Sequence, residues 1–185
     1  MNYWQVAAGD KSRNYVDLCL KWDVVLNGPG GSSPWPLCEP ELAEYTSQRK
    51  LNDLRRFCDQ MTHGDIVVLR LGTDEIYGVG TVEGKYQWSE AFGDVDGWNL
   101  NHIRRMRWLW KATPESLQRF PTYTLNLGDT TQPLTASIVK DWISSLSLPS
   151  AASTGPLATL PQAGPLLSVE EIGAAFSTTE SARPR

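Results

Sequence analysis

The stretch from Gly64 to Trp110 limits what this chain can fold into more than any other. It opens with a Gly64-Asp65 turn and runs into Ile66-Val67-Val68-Leu69-Arg70-Leu71, a β-branched run that reads as a buried strand. Gly72 to Glu75 is a short connection, and Ile76-Tyr77-Gly78-Val79-Gly80-Thr81-Val82 is its antiparallel return. Gly78 and Gly80 fall on one face of that return strand. Glycine weakens a strand interior unless a bulge, a bend or another body needs the space. After Gly84 comes a loop bearing Tyr86, Trp88, Phe92 and Trp98, then a basic aromatic strand, His102-Ile103-Arg104-Arg105-Met106-Arg107-Trp108. A hairpin, an aromatic loop and a positive strand together form a platform for a flat, anionic ligand. Nucleic acid fits that description.

The rest of the chain sets bounds on this reading. A length of 185 residues with 41% hydrophobic content supports one good core, hence a single domain with a tail. The net charge of -4 excludes a global basic field, so nucleic-acid binding must come from a local patch. Cys19, Cys38 and Cys58 show no CxxC spacing, which argues against a zinc site or a disulfide framework and for buried thiols in a reducing cytoplasm. Met1 to Trp4 leads directly into a strand with no signal peptide. No apolar run approaches the roughly 20 residues that span a bilayer, so no membrane partner is expected. The eight tryptophans are many for this length, and the polar surroundings of Trp35, Trp88 and Trp98 suggest ligand surface.

In chain order, Tyr3 to Ala8 reads as the first strand. Asn14 caps a short helix with Tyr15, Leu18, Cys19 and Trp22 at helical spacing. Asp23 to Leu26 is a short strand entering the exposed loop Asn27-Gly28-Pro29-Gly30-Gly31-Ser32-Ser33-Pro34. A helix starts at Pro40-Glu41, and Leu51, Leu54, Phe57, Cys58 and Met61 mark an amphipathic one. Its basic residues Arg49, Lys50, Arg55 and Arg56 read as a solvated face. Thr113-Pro114-Glu115 starts another short helix, Tyr123 to Leu127 alternates like a strand, and Ser137 to Leu146 is a closing helix with Ile138, Trp142, Ile143 and Leu146 on one side. Residues 1–147 are thus one recognition domain. Residues 148–185 read as a flexible Pro/Ala/Ser-rich linker with a capped helical segment, Ser168 to Phe176, leading toward a further effector domain.

No catalytic constellation emerges. His63 and His102 lack a Ser, Cys or metal-ligand context, and Asp94 and Asp96 read as solvated turn residues. No cofactor or metal is expected. The binding reading has three parts. Trp88, Phe92 and Trp98 share one loop, where aromatics stack on an unstacked base for about 1–3 kcal/mol each; Phe92 reads almost equally as a plug in the core. Arg104, Arg105, Arg107 and Lys111 form an acid-free basic segment for nucleic-acid backbone contacts, with Arg105 and Arg107 on one face and Arg104, Met106 and Trp108 on the other. Asn27 and the glycines after it offer a backbone-rich rim for a base edge.

Tyr3-Trp4 in a first strand, followed by a helix ending Lys21-Trp22-Asp23-Val24-Val25, resembles the opening of EVE and YTH domains, members of the PUA-like group. Tyr77 to Gly84 is similar to the hairpin strand of those domains, and the aromatic loop to Trp98 and the Arg107-Trp108 strand follow in the same order. Gly64-Asp65-Ile66-Val67-Val68, Gly78-Val79-Gly80 and Arg104 to Leu109 look most like the N-terminal domains of McrB-type restriction proteins. The resemblance spans roughly residues 3–110. It implies an α+β fold, a strongly bent PUA-like sheet or small barrel with flanking helices, holding a pocket for a flipped base. Readers of the YTH type use an aromatic cage; its loop members correspond to Phe92 (or Trp88) and Trp98. The remaining member corresponds to Val25 or Leu26, neither aromatic, with Trp22 and Trp35 as neighbouring substitutes. The expectation is a non-catalytic reader of modified double-stranded DNA that targets a restriction effector, an NTPase or nuclease domain or subunit, in phage defence. An RNA-binding PUA-like module and an enzyme with an unfamiliar site are the alternatives.

Overall fold

The computed structural model describes residues 1–10 and 12–162. The expected hairpin is present: β3 (Ile66–Leu71) pairs antiparallel with β4 (Glu75–Trp88), Val68 opposite Val79 and Leu69 opposite Gly78. β1 (Tyr3–Ala7) lies parallel to β3, and β5 (His102–Lys111) pairs antiparallel with β4. β2 (Val24–Asn27) flanks β5, the two-residue β6 (Gln118–Arg119) pairs antiparallel with the start of β4, and β7 (Thr131–Pro133) closes the edge beside β1. The order β2-β5-β4-β3-β1-β7 makes one strongly curled, half-barrel sheet in an α+β fold. Register shifts at Leu69/Arg70, Val79/Gly80 and Glu83/Gln87 break the ladders, and each extra residue adds bend and twist.

Helices cover the sheet on both sides, which is why β3 is buried along nearly its whole length rather than at alternate residues. Val67, Leu69, Val82 and Met106 face the larger core with Leu18 and Cys19 of α1 (Val16–Trp22), Leu42 of α2 (Glu39–Ala43) and Leu51 and Leu54 of α3 (Gln48–Arg55). Helix α3 continues as a π turn, Arg56–Gln60, that carries Phe57 and Cys58 into the same core. Val68, Ile76 and Val79 face the other way, onto Val139 and Ile143 of α4 (Ser137–Ser145). The closing helix therefore turns Val139 inward, whereas Ile138, expected on its buried side, is exposed.

The glycines of β4 answer to one side chain. The Trp108 indole lies across Gly78 and Gly80 and donates its Nε1–H to the Cys19 carbonyl of α1 at 3.3 Å. A Cβ on Gly80 would stand 2.6 Å from the Arg107 carbonyl oxygen and 2.9 Å from the indole. The close approach of a tryptophan to the neighbouring backbone is what these positions need.

Three local expectations change. Thr113-Pro114-Glu115 forms a turn rather than a helix. Tyr123 to Leu127 is not a strand: Tyr123 has φ +67°, which breaks an extended run, and Leu125 alone of the segment is buried. The composition change at Leu148 does not end the packed unit. Residues 151–162 return along the sheet, where the Ala158 N–H donates to Asp23 Oδ2 at 2.8 Å and Leu160 packs on the larger core. The capped segment from Ser168 lies outside the described residues. Among the described residues no helix is long and apolar enough to cross a membrane.

Because the clash at Gly80 is with backbone, it cannot be relieved by a rotamer change. Gly80→Ala should cost about 1–3 kcal/mol, read as a fall in the urea midpoint at unchanged slope.

Candidate functional site

The loop after β2 builds one end of the molecule. Asn27, the last residue of β2, is fully buried, and its side chain has no capacity left for a ligand. Its Nδ2 donates to Asp53 Oδ1 and Thr131 Oγ1, both at 3.1 Å, while its Oδ1 accepts from Lys50 Nζ at 2.7 Å and the Gly28 N–H at 2.8 Å. Asp53 also accepts from the Thr130 and Thr131 N–H groups and pairs with Lys50 at 2.8 Å. The expected reading of a base edge by Asn27 is thus replaced by an internal junction. Nor is the glycine loop an open rim. A Cβ on Gly30 would meet the side-chain oxygens of Asn99 and Asn101 at 2.1 Å, so the loop lies directly on the segment that follows Trp98.

Above that junction is a cavity of about 260 Å³. Tyr15, Pro29, Trp98 and Leu100 give it apolar walls, and Lys50 and Thr130 give it a polar base. Trp98 is half-buried, held by the Val95–Trp98 bridge with paired backbone hydrogen bonds, and the Arg13 guanidinium lies over its ring at 4.7 Å from the centroid. Lys50 is ion-paired but still partly exposed, so the cavity has a flat aromatic wall and cations at its base and mouth.

Of the expected aromatic residues, only Trp98 lines this cavity. Phe92 is fully buried behind it in the core, with its carbonyl accepting from the Leu100 N–H. Trp88 donates its indole N–H to the Gly30 carbonyl at 3.1 Å, on the other side of the glycine loop. Trp35 is buried and donates to Asp59 Oδ2 at 2.9 Å. Val25 is a core residue, and half-buried Trp22 stacks under Lys21 with its indole N–H unpartnered. Tyr15, Lys50 and Thr130 escaped sequence reading. Tyr15 and Lys50 fit ordinary helical patterns, and nothing around Thr130 marks it, because the cavity unites residues far apart in the chain.

The basic strand alternates as expected, yet its cations meet the chain itself. Arg104 points inward and is 3% exposed, donating to the Met61 carbonyl. Arg105 donates to the Ala158 carbonyl. Arg107 pairs with Glu83 at 2.7 Å and donates to Thr154 Oγ1 and the Gly155 carbonyl at 2.7 and 2.8 Å. Lys111 caps α1 through the Leu20 carbonyl at 3.0 Å. The strap of residues 154–158 thus covers the face that carries Arg105 and Arg107.

A chain of hydrogen bonds fixes the cavity wall. The Trp35 N–H donates to Tyr86 Oη at 3.0 Å, Tyr86 meets His102 Nδ1 at 2.7 Å, and His102 Nε2 lies 3.0 Å from the Pro29 carbonyl. A carbonyl only accepts, so Nε2 carries the proton and Nδ1 accepts from the tyrosine hydroxyl. Burial, assisted by the nearby Lys50 charge, pushes the His102 pKa down to about 4.

A family described as a domain of unknown function (DUF8426) matches residues 32–131, just over half of the chain. The chain belongs to that family. The DUF8426 span includes Lys50, Trp98, Thr130 and the Tyr86–His102 pair, whereas Tyr15 and Pro29 precede it. No curated protein matches the chain.

His102 ties this site to pH. Its folded pKa lies below the ordinary value of 6.5, so its contribution is complete above that value and is lost as pH falls toward 4. Lowering pH from 7 to 5 should remove about 2 kcal/mol of stability through this group. Urea melts of the parent and of His102→Gln at the two pH values check this, since the variant should lose that part of the slope.

Proposed function

We propose that this chain is a non-catalytic recognition module for modified DNA, receiving a flipped base against Trp98. The observation that carries the reading is the cavity itself. Its volume of about 260 Å³ suits a single base, its walls are apolar, and one of them is an indole in an otherwise polar loop. Flipping costs a few kcal/mol of unstacking, which an apolar stacking surface and backbone contacts would offset. In this reading Arg13, beside Trp98 at the mouth, would meet a phosphate flanking the flipped nucleotide, while Lys50, at the cavity base, would meet the edge of the base. Arg49, ion-paired with Asp129 beside Thr130, is close by and largely exposed.

The curled sheet with a parallel β1–β3 pair supports the resemblance to PUA-like domains of the EVE and YTH type, and with it a role ahead of a restriction effector. The cage is rearranged in this reading: Trp98 and Tyr15 are its aromatic members, and Pro29 and Leu100 stand in place of Phe92, Val25 and Trp35. Duplex DNA with a modified base is the partner, and the nuclease or NTPase belongs to another domain or subunit.

Fluorescence anisotropy with methylated, hydroxymethylated and unmodified duplexes, and with single-stranded RNA, tests the reading. The parent should prefer one modified duplex, and Trp98→Ala should melt as the parent does while losing that preference by roughly ten- to hundredfold. A variant that melts normally and still discriminates removes Trp98 from the site, and preference for the RNA selects the RNA-binding alternative.

The strap gives a second expectation. A chain ending at Pro149 should uncover Arg105 and the Nη groups of Arg107, whose Nε stays paired with Glu83, strengthening binding to any duplex and steepening its salt dependence by up to about 0.9 per phosphate gained. Titrations at several salt concentrations check it; an unchanged slope means that the two arginines serve only to hold the strap.

A further inference from the structure

A second cavity lies under the irregular part of β4. The β4–β5 register passes from Glu83 opposite Arg105 to Gln87 opposite Ile103, so Gly84, Lys85 and Tyr86 stand against Arg104 alone. Three residues against one push the strand out of its ladder. The opening has a volume of about 550 Å³, with Arg104 in its lining beside Lys85, His63 and Asp59.

Arg104 is an unusual residue to find there. It is 3% exposed, and no carboxylate among the described residues pairs with it. Of the five N–H donors of its guanidinium, one bond is made, to the Met61 carbonyl, and the Nε–H is buried with no partner. The neighbouring acids are engaged elsewhere. Asp65 accepts from the Asn2 N–H and the Trp4 indole, and Asp59 accepts from the Trp35 indole. A guanidinium withdrawn from water without a counter-charge is costly, and folds keep one where something completes it. Exposed Lys85 adds a cation at the opening, and His63 Nδ1 accepts from the Gly84 N–H at 3.1 Å; the carboxylates nearby are Asp59 in the lining and Glu83, 3.9 Å from His63 and paired with Arg107.

We propose that the cavity beneath the β4 bulge binds a phosphate group, with Arg104 as its principal ligand. The planar fork of a guanidinium matches two oxygens of a tetrahedral oxyanion, and charge-assisted bonds to it are the strong ones. Lys85 at the opening supplies a second cation. The site is separate from the Trp98 cavity, which shares none of its lining residues; the Tyr86–His102–Pro29 hydrogen bonds run between the two. The proposal does not rest on the base-recognition reading.

Inorganic phosphate titrated into the isotope-labelled full chain, followed by amide chemical shifts, tests it. The parent should show saturable shifts at Gly84, Lys85 and Tyr86. Arg104→Lys keeps the charge but loses the fork and should weaken binding by about tenfold or more. Lys85→Ala, at an exposed position where folding is not at stake, should weaken it several-fold. Absent or non-saturating shifts in the parent, shifts confined to other regions, or a Lys85→Ala chain that binds as the parent does would overturn the proposal. Two oligonucleotides of one sequence, with a 5′-phosphate or a 5′-hydroxyl, identify the source. A response to the first alone assigns a terminal phosphate, an equal response an internal phosphodiester, and a response to neither a free phosphate.

Discussion

The carboxylate of Asp53 is the constraint on which the candidate site depends. It is 1% exposed, and it gathers Lys50 from its own helix, the Asn27 amide from β2 and two backbone N–H groups from the start of β7. An ionised group so placed is tolerable only when its lone pairs are filled, and here four donors fill them. Three elements distant in sequence therefore converge on one point. The floor of the Trp98 cavity is the outer surface of that convergence, so its shape is set by the interior of the protein and not by the mobility of a surface loop.

The curl of the sheet is the complement to this junction. Trp108 needs a flat strip of backbone beneath it, which Gly78 and Gly80 provide, and its indole anchors α1 over the strip. Bulges then turn the long β4 strand twice against β5. One bulge lets Trp108 sit close. The other exposes Arg104 to a cavity. Packing and opening are two uses of the same device, an unpaired residue in an antiparallel ladder.

The basic strand illustrates how charge in a sequence differs from charge on a surface. Arg104, Arg105, Arg107 and Lys111 form an acid-free run, but Glu83, Asp23 and the carbonyls of residues 154–158 meet three of them in space. Arg104 turns inward instead. The cations left near the Trp98 cavity, Arg13 and Lys50, come from a loop and from a helix face that reads as merely solvated.

Local pattern determined much of the fold. The β-branched run of β3, the turn at Gly72, the paired glycines of β4 and the alternation of β5 are legible because a strand buried on known faces leaves a period of two in the sequence. Trp98 was legible as well, since a tryptophan between Gly97 and Asn99 satisfies no core periodicity. Phe92 and Trp88 shared that polar context, and only packing decided that one lies in the core and the other braces the glycine loop. The tail from Leu148 reads as linker by composition, yet backbone carbonyls need no particular side chains to accept from Arg105 and Arg107, so its docking left no mark in the sequence. Asn27, Lys50, Asp53, Thr130 and Tyr15 meet only in the folded chain. Each fits a local pattern by itself, and it is the tertiary structure that brings them together: the buried Asp53 carboxylate gathers Asn27, Lys50 and Thr130 by distance in space, and Tyr15 lines the cavity above them.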